Sequence, residues 1–129
     1  MGALFWRLEK PVNYEAMAIF EGHFEYKALG ETHIIPWREV SYLDFVREEA
    51  LFPDPWVGYY PETQWLFRLC DGRCRVVMDE RPHRRQLLKA FQRQWPAFDL
   101  GAARAGLQSR RLGRWRCYTA RSTLSENDT

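Results

Sequence analysis

Asp71-Gly72 constrains the fold of this chain more than any other pair of residues. An Asp-Gly dipeptide between two alternating runs is the strongest short-range hairpin signal, because a two-residue type I′ turn needs positive φ at both central positions. Placing that turn at 71–72 sets Leu69 opposite Cys74, Phe67 opposite Val76 and Trp65 opposite Met78. These apolar side chains then share one face. The other face carries Cys70, Arg68 and Leu66 against Arg73, Arg75 and Val77. A slip of one residue would mix the two sets, so this pattern predicts its own register. A helix follows. Pro82 suits a first helical turn, and Asp79 and Glu80 suit its positive end. Leu87, Leu88, Phe91 and Trp95 recur as one helical stripe, with Arg84, Arg85, Lys89, Gln92 and Arg93 on the other side, until Pro96 stops the helix.

Strand signals also fill the chain upstream. Leu4 to Glu9 is a short candidate, and Ala16 to Phe20 leads into a Glu21-Gly22 turn. His23 to Leu29 alternates, Gly30-Glu31 turns, and Thr32 to Trp37 and Val40 to Phe45 follow. A helical reading of Trp37 to Ala50 competes with the last of these. Turns at this spacing favour an antiparallel meander over βαβ units. After Pro96, Asp99 suits the cap of a short helix through Ala103 and Leu107, which Gly101 and Gly106 weaken. Arg114 to Ala120 reads as a last strand. The expected fold is therefore α+β: an antiparallel meandering sheet or partly open barrel, closed by an amphipathic helix. One domain over 1–121 and a flexible polar tail at 122–129 are expected for a chain of 129 residues.

Charge is unevenly spread. Residues 1–80 hold 8 Lys/Arg and 14 Asp/Glu, whereas 81–121 hold 11 Lys/Arg and the single acid Asp99. Three readings follow: a basic helix packed beside its own acidic sheet, an acidic protein partner, or nucleic acid. The blocks of like charge typical of nucleic-acid arms are missing. Of the 19 basic residues 16 are Arg, which suits a bacterial host with a GC-rich genome. Three cysteines rule out a complete intrachain disulfide set. No run of apolar residues is long enough to span a membrane, and no export signal opens the sequence, so a reducing cytoplasm is expected.

No catalytic constellation stands out. Gly-x-Ser-x-Gly and phosphate-cradling glycine loops are absent. His23, His33 and His83 are scattered, and Cys70 and Cys74 fall on opposite faces, so neither a metal site nor a cofactor is expected. Glu48-Glu49 reads as a solvated patch. His23 and Glu25 share one strand face, close enough to interact. Two surfaces remain as candidates for binding. Phe52, Trp56, Tyr59 and Tyr60 lie among prolines in 51–63, and aromatic side chains on pre-bent loops are favoured binding anchors. The competing reading makes these rings a lid on the end of a barrel. Arg84, Arg85, Lys89 and Arg93 form a basic helix face whose competing reading is plain solvation.

Ile35-Pro36-Trp37-Arg38-Glu39-Val40, within Thr32–Phe45, resembles a strand-linking segment common in bacterial pleckstrin-homology-like domains. Leu69 to Trp95 resembles the last hairpin and C-terminal helix of that fold. The resemblance covers about residues 18–96; the insertion at 51–63 and the chain after Pro96 depart from it. It implies a scaffold that hosts lipid, peptide or protein binding. Lipid headgroups are disfavoured, since residues 16–31 hold Lys27 alone against Glu21, Glu25 and Glu31. In general character the chain is also similar to small toxin-immunity proteins. The expectation is a non-catalytic domain that binds a protein, most concretely a secreted bacterial toxin. A pleckstrin-homology-like adaptor and a nucleic-acid binder acting through the Arg-rich third are the alternatives.

Overall fold

A computed structural model describes residues 16–28, 30–50, 54–56, 58 and 60–121. The candidate strand at Leu4–Glu9, the tail at 122–129, Phe52 and Tyr59 lie outside the described residues. The described residues form two antiparallel sheets and two α-helices. β1 (Ala16–Ile19), β2 (His23–Ala28) and β3 (Glu31–Pro36) make a three-stranded meander. A 3-10 turn at Trp37–Glu39 leads to β4 (Val40–Glu49), followed by β5 (Pro61–Leu69) and β6 (Cys74–Met78). Then come α1 (Arg81–Gln94), α2 (Leu100–Gln108) and β7 (Gly113–Thr119). The second sheet runs β6-β5-β4-β7, so the last strand returns to pair with β4. This is the expected α+β class, an open antiparallel arrangement packed against a helix.

The hairpin forms where expected, but its turn is one residue longer. Gly72 N donates to Leu69 O at 2.9 Å and Leu69 N donates to Arg73 O at 2.8 Å, enclosing Cys70-Asp71-Gly72. Gly72 sits at φ 91°. This is a type I turn closed by a left-handed glycine, which asks for positive φ at Gly72 alone and spares Asp71 that strain. The Asp71 carboxylate instead accepts from Arg73 N at 2.9 Å and from Arg73 Nε at 2.7 Å. The register shifts accordingly: Trp65 faces Val77, Leu66 faces Val76, Phe67 faces Arg75 and Arg68 faces Cys74. The expected six-residue face is thus divided. Trp65, Phe67, Leu69 and Val77 enter the main core, while Cys74 and Val76 join Leu66 and Val46 in a second cluster on the opposite face.

The main core lies where the inner faces of both sheets meet the helices. Phe91 of α1 is its hub, with ring centroids 5.3 Å from Trp65, 5.5 Å from Trp95, 5.6 Å from Phe98 and 5.9 Å from Phe67. The stripe predicted for α1 holds: Leu87, Phe91 and Trp95 are buried, Leu88 is partly so, and Ala90 joins them. Trp95 stacks on Tyr118 of β7 at 4.3 Å and donates its Nε1–H to Trp37 O at 3.3 Å. α2 forms as expected, its Asp99 cap accepting from Ala102 N at 2.9 Å. Its Gly106 does more than weaken a helix. A Cβ there would meet the Phe45 ring at 2.6 Å and the Trp115 ring at 3.0 Å, so glycine is what lets α2 lie this close to β4 and β7. The Arg47 guanidinium of β4 caps the far end of α2, donating to Gly106 O at 3.1 Å and Leu107 O at 3.3 Å.

Candidate partner-binding surfaces

The β4–β5 connection is a built turn. Asp54 N donates to Gly58 O at 2.8 Å and Gly58 N returns a bond to Asp54 O at 2.9 Å. Trp56 N donates to the Asp54 carboxylate at 2.7 Å. Gly58 takes φ 78°, a conformation that a side chain would resist. Proline at 55 presets the backbone before the tip. At that tip Trp56 is 92% exposed and Tyr60, at the turn's exit, is 39% exposed. The Trp56 ring therefore covers nothing among the described residues, and the lid reading does not apply to it. Phe52 and Tyr59 cannot be placed beside them, being outside the described residues.

The arginines of α1 divide by position. Arg84 is tied down: its Nε donates to Asp79 Oδ1 at 3.0 Å and its Nη2 to Asp79 Oδ2 at 2.5 Å. The fully buried Asp79 carboxylate also accepts from Trp65 Nε1 at 3.2 Å and Thr63 Oγ1 at 3.3 Å. These bonds to Asp79 hold the Arg84 guanidinium above its ordinary pKa. Arg84 is thus part of the joint between β5, β6 and α1. Arg85, Lys89 and Arg93 are exposed and form no ion pair among the described residues. Arg93 stands nine residues beyond Arg84, about 13 Å along the helix axis. The Trp56 turn leaves β5 at the Thr63–Asp79 end, whereas Arg93 lies at the Trp95 end beside β1. The two candidate surfaces therefore lie at separate places on the fold, and Arg84 drops out of the second.

Sequence reasoning missed the second Arg cluster. Asp44, buried in the middle of β4, accepts from Arg114 Nη2 at 2.6 Å and from Arg116 Nε. Arg116 also lies 3.8 Å over the Tyr42 ring. The signal was in the alternation of Arg114 and Arg116 along one strand face, but their carboxylate is 70 residues away. His23 and Glu25 do meet, Nε2 to Oε2 at 2.8 Å, beside the Phe20 ring. Among the described residues no His/Cys/Asp/Glu cluster could hold a metal. All three cysteines are free thiols, with Cys70 exposed and Cys74 and Cys117 buried. Burial pushes the Cys117 thiol up to about 12.

Sequence reasoning also missed a groove of about 670 Å³ between β1 and α1, because it exists only once the two elements pack. Met17, Ile19, Phe20 and Ala90 supply its apolar surface, and Lys89 and Arg93 its basic side. No helix among the described residues is long and apolar enough to cross a membrane. Comparisons with protein-family models, curated proteins and solved structures find no match.

Proposed function

We propose that this chain is a non-catalytic protein-binding domain, most concretely a bacterial cytoplasmic immunity protein that covers a secreted toxin. The observation that carries the binding reading is Trp56, held at the tip of a hydrogen-bonded turn with 92% of its surface open to solvent. Leaving an indole in water forgoes the stabilisation its burial would bring, while a fixed indole binds a partner at little entropic cost. Arg85, Lys89 and Arg93 would speed encounter with an acidic surface. Arg84, Arg114 and Arg116 are engaged by the chain's own carboxylates, which leaves fewer guanidinium groups for phosphates and disfavours nucleic acid.

The test places a photo-crosslinking amino acid at position 56, captures what it touches in the producing cell, and co-expresses the captured protein with the chain. The immunity reading expects a protein that arrests growth alone and is silenced by the wild-type chain. Trp56→Ala should melt as wild type yet bind at least about 30-fold more weakly, the loss typical of a hot-spot aromatic. Wild-type affinity in Trp56→Ala would remove the binding reading. A captured protein that is harmless to the cell would remove the immunity reading alone.

A further inference from the structure

We infer that β1 is an acceptor edge for an extended segment of a partner protein, one that alternates apolar and acidic residues. The site differs from the Trp56 tip and does not depend on it.

Among the described residues four strands form the sheet edges: β1 and β3 in one sheet, β6 and β7 in the other. Exposed edges invite pairing with another chain, and proteins normally blunt them with charge or proline. β3 carries Glu31 and Pro36, β6 carries Arg75, and β7 carries Arg114 and Arg116. β1 reads Ala-Met-Ala-Ile, with neither charge nor proline.

The backbone of β1 is also correctly poised. Phe20 N donates to His23 O at 2.9 Å, which makes Phe20/His23 a hydrogen-bonded pair in the β1–β2 ladder. Such pairs alternate, so Ala18/Glu25 is the next, and Met17 and Ile19 turn their N–H and C=O groups to the edge that no described strand covers. The Met17 and Ile19 side chains lie in the groove along that edge, opposite Gln86, Lys89, Ala90 and Arg93 of α1. Gln86 to Gln94 spans about 12 Å of helix and Met17 to Phe20 about 10 Å of extended chain, so both walls run the length of about three added residues. An added strand would pair its backbone with Met17 and Ile19, set apolar side chains against Met17, Ile19 and Ala90, and bring acidic ones to Lys89 and Arg93. Charge decides the occupant: both basic side chains of the groove stand one helical turn apart, and its one acid, Glu21, lies at the end.

The probe is a fluorescein-labelled eight-residue peptide of alternating valine and glutamate, read by anisotropy. Saturable binding is expected, with new hydrogen-exchange protection at the Met17 and Ile19 amides. Met17→Pro, which deletes an open-edge donor without breaking a bond to β2, should abolish it. The double variant Lys89→Glu/Arg93→Glu should weaken binding at least about tenfold and instead accept a valine–lysine peptide. No saturation by about 1 mM, or equal binding of a blocked peptide of the same composition, overturns the inference. So do ladder-like protection of Met17 and Ile19 in the free chain, and a dimer that Met17→Pro dissociates, since the edge would then be taken already. Failure here with Trp56→Ala still impaired leaves the proposed function standing.

Discussion

Arg84, Arg114 and Arg116 lie against carboxylates, whereas Arg85, Lys89 and Arg93, from the same basic third of the chain, face water. The difference lies in what each strand or helix end meets. The carboxylates of Asp44 in β4 and Asp79 at the β6–α1 joint are buried, and a buried carboxylate needs donors on its oxygens. The arginines that supply them are structural. Those on the outer turns of α1 meet no such demand, and their charge is left for a partner.

The sharpest way to break this contrast is Asp79→Ala, which strips the acceptor from Trp65 Nε1, Thr63 and Arg84 at once. We expect a loss of about 3 kcal/mol in urea unfolding, and wild-type stability would mean the joint is ornamental. Asp44→Asn should lose about 2 kcal/mol. Its arginine side chains are already 38% and 49% exposed and can re-enter water. A third test contrasts the buried carboxylates with a buried thiol whose burial outweighs the pull of the neighbouring Arg116 charge. Cys117 ionises near 9.0 when unfolded and only at about 12 when folded. Its contribution is therefore full below about pH 9 and is lost as pH rises through that window, which unfolding at pH 7 and pH 10.5 will show. Iodoacetamide at neutral pH should correspondingly label Cys70 alone in the folded protein. Smallest of all, Arg85→Ala, Lys89→Ala and Arg93→Ala should each shift stability by less than about 0.5 kcal/mol.

The parts of this fold legible in the sequence are those written in neighbouring residues. Pro82 and Pro96 bracket α1 and Asp99 starts α2 because helix ends are decided within one turn of chain. The hairpin was legible but its register was not. Leu66 and Val76 on one face are as apolar and as buried as Trp65 and Val77 on the other, so polarity could not choose between turns one residue apart. A bulge between Val40 and Tyr42 similarly brings Val40 to the side of Leu43 and Phe45, against a strict alternation. The aromatic turn was found because proline, glycine and aspartate announce it locally. The Asp44 cluster and the β1 groove stayed hidden because each joins distant stretches of chain, and composition carries no record of which strand will stand next to which.

Pairing of β4 with β7 has a consequence during synthesis. The β4–β5–β6 meander is complete on the ribosome well before residue 119 emerges, and until then β4 is an outer strand with Asp44 unneutralised. Nascent chains at that stage present a long bare strand to their neighbours, the circumstance in which chaperone capture or mispairing competes with folding. The seven-residue strand β7 is therefore the stopper of the sheet, and deleting Gly113–Thr119 should turn a folded product into an aggregating one.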